Sequence, residues 1–175
     1  MTSWSHARHL VRRFVTSLWP APPPRRDEAW ATGLLVPGEV ALWRCMGNAD
    51  RRHAVGVARR TEQLLGPRAT RPVLAAALLH DVGKVDSGFG PVRRVVATLA
   101  QMATGHAAAE RWQRRRGIVG RTGRYLCHDR VGADMLTAAG SDGLTVTWAR
   151  EHHLAPDRWS LPLDIGTALK AADDD

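Results

Sequence analysis

The sequence predicts an all-α fold. Apolar residues recur at helical spacing almost throughout from Glu39 onward, no segment sustains the alternation of a half-buried strand, and glycine-rich hairpin signals are missing. The expected architecture is a bundle of about six to eight helices. With 175 residues, 44% of them hydrophobic, the chain suits one domain with a proper core and is too apolar for wholesale disorder.

Residues 4–19 (WSHARHLVRRFVTSLW) read as a basic helix, stopped by Pro20, Pro22, Pro23 and Pro24. Its mixture of arginine with aromatic and aliphatic residues suits a membrane surface or a partner. Chain termini more often remain poorly ordered or pack back on their domain, and that is the expectation here. Residues 20–29 read as a linker, so 1–30 form a basic, Pro-rich extension and 31–175 the helical domain. Residues 39–47 then carry Val40, Trp43 and Met46 on one face, and residues 50–65 carry Ala54, Val57, Ala58, Leu64 and Leu65 up to Gly66-Pro67. Pro72 suits the first turn of the next helix, VLAAALLHDV, and Gly83 its end. Residues 91–104 repeat the pattern through Val92, Val95, Val96, Leu99 and Met102, and further helices are expected at 106–116, 122–139, 144–153 and 163–173.

Several classes are disfavoured by what the chain lacks. No run approaches the ~18 apolar residues of a spanning helix, and Arg8, Arg12 and Arg13 interrupt the early apolar stretch where a secretory signal would be continuous. Cys45 and Cys127 have no metal-type spacing, so two free buried thiols in a reducing cytoplasm are expected. The net charge of +8 favours anionic partners: phosphate esters, nucleotides, nucleic acid or a lipid surface.

The chemistry is concentrated in histidine and aspartate. His53, His80, His128, His152 and His153 follow one another along the domain, with Asp81 beside the second and Asp173 near the end. Imidazole and carboxylate together suit first-row transition ions, and a carboxylate can bridge two of them. The strongest hint is Asp81, which ends a wholly apolar helix where a buried carboxylate is costly unless something positive meets it. His128 shares a face with Val131, Gly132 and Met135; His152 follows Trp148 and Leu144 on an apolar stripe; His53 precedes Val57 by one turn. Inward imidazoles on separate helices are how bundles build metal sites. One inward histidine alone is more often a hydrogen-bonded core residue. The adjacent pairs His80-Asp81 and His152-His153 argue otherwise, because two neighbours point inward together only at a helix end or kink.

His53, then His80-Asp81, then Asp173 resembles the H…HD…D signature of the HD phosphohydrolase superfamily, and AALLHDVGK (76–84) is close to the HDIG form of its core motif. His128 with His152-His153 is similar to the longer pattern of the two-metal subgroup that includes the HD-GYP phosphodiesterases. The resemblance covers roughly residues 50–175. It implies one ion held by His53, His80, Asp81 and Asp173 and a second held by His128, His152 and His153, with Asp81 bridging. The ions would be divalent transition metals, iron or manganese first, with a bridging hydroxide as nucleophile toward a nucleotide or related phosphate ester. Asp81 and Lys84 would then form the catalytic pair, with Lys84 contacting phosphate; a helix-capping charge is the alternative use of Lys84. The pair His152-His153 is followed by LAPDRWSLP, without a GYP-type motif, so a cyclic dinucleotide is not implied as substrate. Asp173 is the third residue from the end of the sequence, and Asp174 or Asp164 could replace it there. Asp50, three residues before His53, is expected to cap a helix rather than hold a third ion.

The arginines at 111, 114, 115, 116, 121 and 124 could clamp phosphates or RNA, although such runs usually form solvated helix faces. Nucleic acid and a membrane surface therefore stand behind a phosphorylated small molecule as the expected partner. Two other functions fit the same ligands: a non-catalytic HD signalling module that binds a nucleotide or protein, and a di-iron oxygenase. All metal-dependent readings share one expectation. Replacing Asp81 by alanine should abolish both metal retention, measured by elemental analysis, and turnover; a fully active Asp81→Ala protein would contradict them.

Overall fold

The most apolar stretch of the chain, VLAAALL, is surrounded on every side. In the computed structural model, which describes residues 21–89, 111–112 and 114–174, residues Val73–Leu79 are all buried, none more than 4% exposed. A helix without a polar face must have neighbours all round, and this one (α4, Arg71–Leu79) is the axle of the domain. Helices α1 (Arg25–Leu34), α3 (Asn48–Leu65) and α8 (Gly143–Glu151) pack against it. The second helix, α2 (Pro37–Cys45), adds Trp43 to the same core. Helix α7 (His128–Ala138) pairs with α8, and α9 (Leu163–Asp174) lies along α3. The short α5 (Lys84–Ser87) and α6 (Gly117–Leu126) pack together beside α7 over a smaller apolar cluster of Phe89, Leu126 and Cys127. Every regular element among the described residues is helical, and no helix there is long and apolar enough to cross a membrane.

Local chemistry accounts for most boundaries. Pro37 occupies the first turn of α2, and the Glu39 carboxylate accepts the Val36 N–H at 2.9 Å, closing that N-terminus. Pro72 does the corresponding work in α4. Gly66, with φ of 53°, ends α3 in a conformation that side chains resist. Asp142 caps α8 by accepting the Leu144 N–H at 2.8 Å.

Several expectations need correction. Residues 25–29, read as linker, are helical: Glu28 in the first turn of α1 accepts from Trp43 Nε1 at 2.9 Å and Arg51 Nη1 at 2.7 Å, tying α1 to α2 and α3. The single helix expected over 122–139 is two, broken at Cys127, whose φ and ψ of −109° and 27° are not helical. Asp50 lies inside the first turn of α3, behind Gly47 at the cap. Gly83 does not end α4, which stops at Leu79, and its φ of −62° is ordinary. Both cysteines are free, but Cys45 is exposed and only Cys127 is buried. The helix expected at 91–104 lies outside the described residues, as does most of that at 106–116.

Two glycines within helices separate propensity from packing. Glycine in a helix usually costs about 0.5–1 kcal/mol relative to alanine. A Cβ at Gly33 would meet nothing within 4 Å, whereas one at Gly166 would lie 2.6 Å from the Trp159 ring. Gly33→Ala should therefore raise the thermal midpoint slightly, by up to about 1 kcal/mol in stability. Gly166→Ala should lower it, because displacing a packed ring costs roughly 1–3 kcal/mol. Calorimetric melting of the two variants checks both signs.

Candidate metal centre

Three of the site's histidines stand where one helix stops. His80 caps the C-terminus of α4, His152 caps that of α8, and His128 begins α7 directly after α6 has ended. Carbonyls in the last turn of a helix lack backbone partners. Here each imidazole turns back and supplies one: His80 Nδ1 donates to Ala77 O at 3.0 Å, His128 Nδ1 to Tyr125 O at 2.8 Å and His152 Nδ1 to Ala149 O at 2.9 Å. A carbonyl only accepts, so Nδ1 carries the proton, and in the neutral ring Nε2 presents its lone pair. One local device thus fixes the tautomer and the aim of three rings, as an outer-shell partner does for a metal-binding histidine.

These Nε2 atoms surround Asp81. Its Oδ1 lies 3.3 Å from His128 Nε2 and 3.8 Å from His152 Nε2; its Oδ2 lies 3.5 Å from His80 Nε2. Lys84 Nζ contacts Oδ2 from one turn farther along the chain. On the His80 side, Asp173 Oδ1 stands 2.9 Å from His53 Nε2 and 3.6 Å from His80 Nε2. On the other side, His153 Nε2 and His128 Nε2 are 3.1 Å apart. The ligating atoms form two groups, His53–His80–Asp173 and His128–His152–His153, each with its atoms within 4.8 Å of one another. Asp81 stands between the groups, an oxygen toward each.

This donor set fits cations. The Nε2 atoms of His80 and His152 are buried without a hydrogen-bond partner, a costly state for a polar atom. Carboxylate oxygens and imidazole lone pairs converge on the same space, where an ion accepting from all of them satisfies the set.

The electrostatics follow from crowding. Burial pushes the Asp81 pKa up, but the charges of Lys84 and His80 and the hydrogen bond and charge of His128 hold it well below the carboxylate range. Burial likewise raises Asp173, and the His53 hydrogen bond with the His80 charge overcomes it and lowers the pKa strongly. Lys84 is drawn down by burial and up by Asp81, then Tyr125, and the upward pull prevails. Burial drives His152 well below its usual value, with His153 and His80 adding repulsion. His153 falls from 6.5 to about 4, again by desolvation first and by His128 second. Both imidazoles are neutral near pH 7 and need lose no proton to bind an ion.

All seven residues singled out as ligands meet in this one place, and the adjacent pairs straddle helix ends as two inward neighbours require. Asp173 is held rather than frayed: Arg60 Nε donates to Ala172 O at 2.8 Å, and Ala168, Leu169 and Ala172 are buried. Its suggested substitutes face elsewhere, Asp174 pairing with Lys170 at 2.9 Å and Asp164 with Arg68. Lys84 begins α5, past the end of α4 at Leu79, and its ammonium lies on Asp81.

Supporting residues carried weaker signals. A Cβ at Gly83 would overlap the His128 carbonyl and lie 2.6 Å from Gly132 N; one at Gly132 would be 3.1 Å from Gly83 N. This backbone-to-backbone approach sets His128 beside Asp81, and nothing in either glycine's local pattern announces it. Glu151 accepts from Ser160 N and Ser160 Oγ, both at 2.6 Å, while Trp159 Nε1 donates to Glu151 O at 3.1 Å. That strap anchors the helix end bearing His152 and His153. Comparison with protein-family models, curated proteins and solved structures found no match for the chain.

A pH dependence follows. His153 in the unfolded chain titrates near 6.5, but in the fold only near 4, so between these values the unfolded state binds the extra proton. Stability contributed by neutral His153 is therefore present above about pH 6.5 and lost as pH falls toward 4; buried His152 acts in the same direction. Asp81 and Asp173, held low, lose their contribution only in still more acidic solution. Chelator-treated protein should thus melt progressively lower from pH 6.5 to 4, and His153→Ala should flatten that slope.

Proposed function

We propose that the chain is a metal-dependent phosphohydrolase of the HD type, acting on a nucleotide or related phosphate ester. The observation that carries this reading is the pair of three-residue groups facing each other across Asp81, with buried imidazole nitrogens that lack partners. His53, His80 and Asp173 would hold one ion, and His128, His152 and His153 the other, with Asp81 shared. Manganese or iron suits these ligands. Two such ions acidify water and offset charge on phosphoryl oxygens.

The protein's own residues do the rest. The Nδ1–H bonds keep three imidazoles aimed at the centre before any ion arrives. Burial of Asp81 and His80, each no more than 5% exposed, keeps bulk water from weakening the local field. The Lys84 ammonium on Asp81 keeps a positive charge at the edge of the group, where an anionic ester oxygen needs one. The net charge of +8 favours an anionic substrate in the same sense.

Elemental analysis of protein purified with manganese or iron should find about two ions per chain. His153→Ala, which leaves the first group intact, should bring this to about one. The loaded protein should hydrolyse bis(p-nitrophenyl) phosphate or a nucleotide ester, and lose that activity on chelation. Two bound ions without hydrolysis across a panel of phosphomonoesters and diesters would contradict the assignment. Oxygen consumption by the reduced di-iron protein would replace it with an oxygenase.

A further inference from the structure

Outside the metal-binding groups, one segment combines features that a solvated helix face does not need. Residues 111–126 contain six arginines and no acidic residue. Arg121 and Arg124 are engaged: Arg121 donates to Ser87 O at 2.7 Å and Gly88 O at 2.9 Å, and Arg124 pairs with Asp86 at 2.7 Å. Arg111, Arg114, Arg115 and Arg116 are exposed. Directly after them, at the start of α6, Ile118 is 62% and Val119 44% exposed. Only Leu64 and Leu163 are comparably bare large apolar side chains among the described residues, and those two belong to separate helices. Gly117, with φ of 70°, turns the chain sharply between the arginines and the aliphatic pair.

We infer that this segment is a docking surface for an anionic lipid bilayer. The arginines meet lipid phosphates, and Ile118 and Val119 enter the boundary between headgroups and acyl chains. The residue types decide against single-stranded nucleic acid. Single strands are held by stacking on exposed aromatic rings, but here Trp112 and Tyr125 pack onto the Phe89–Leu126–Cys127 cluster. The exposed apolar side chains are aliphatic, which a bilayer accommodates and a base does not. The inference does not rest on the chemistry of the metal centre.

The test is co-sedimentation of the full chain with phosphatidylcholine vesicles prepared with and without phosphatidylglycerol. Binding is expected only to the anionic vesicles. Each arginine near an anionic surface contributes roughly fivefold, so replacing Arg114, Arg115 and Arg116 together by serine should weaken binding at least tenfold. Ile118→Ser with Val119→Ser should weaken it several-fold and leave a residue of binding that salt removes. Leu64→Ser, an exposed aliphatic change on α3, should alter nothing. All these positions are exposed, and an unchanged thermal midpoint verifies that each variant folds. The inference fails if the unaltered chain ignores anionic vesicles, or if both multiple variants bind like it, which would put lipid contact elsewhere in the chain. It fails equally if only the arginine variant loses binding, leaving diffuse charge, or if a single-stranded oligonucleotide binds while vesicles do not.

Discussion

A carboxylate enclosed at the end of the most apolar helix organises this molecule. Asp81 is 5% exposed and lies just past His80, which follows seven buried aliphatic residues in succession. Left alone, such a charge would be neutralised or would unfold its surroundings. It is instead met by Lys84 and by the rings of His80, His128 and His152, which come from three separated stretches of the chain. The topology is the set of helix paths that bring those stretches together. Helix α4 delivers Asp81 and His80, α7 and α8 enclose one side, and α3 with α9 encloses the other.

Helix termini are the means of delivery. A side chain in the middle of a helix shares its direction with residues one turn away, so two neighbours cannot both face one point. Ending α4 at Leu79 and α8 at Glu151 frees His80-Asp81 and His152-His153 from that restriction. The unpaired carbonyls left behind then hold the rings. His53, in the middle of α3, and Asp173, on the last turn of α9, meet instead by direct contact at 2.9 Å.

Much of this was legible in the sequence. Helical periodicity and the absence of alternation gave the fold class, and the cost of burying Asp81 marked the centre before any geometry was known. The pairs of adjacent candidate residues required a helix end or a kink there. Other parts could not be read, for identifiable reasons. The break at Cys127 is not announced because apolar residues keep helical spacing across it, Leu126 before and Val131 and Met135 after. The start of α1 was hidden among prolines, since its first turn depends on Trp43 and Arg51, distant in sequence. Arg60 gives no hint that it will grip the carbonyl beside Asp173, because such a contact exists only once α3 and α9 lie together.

The crossing at Gly83 and Gly132 bears on how the centre could have arisen and how it could be rebuilt. At that point two backbones touch, and even a methyl group on Gly83 would collide with main-chain atoms that cannot rotate away. Two determinants of the site's geometry therefore contribute no atom to its donor set. A transplant that copied every histidine and aspartate onto another scaffold would carry the whole vocabulary of the site without its grammar. During divergence, drift at the histidines and aspartates would dismantle the candidate donor set at once, while drift at Gly83 would pull its two halves apart, with every polar group still present.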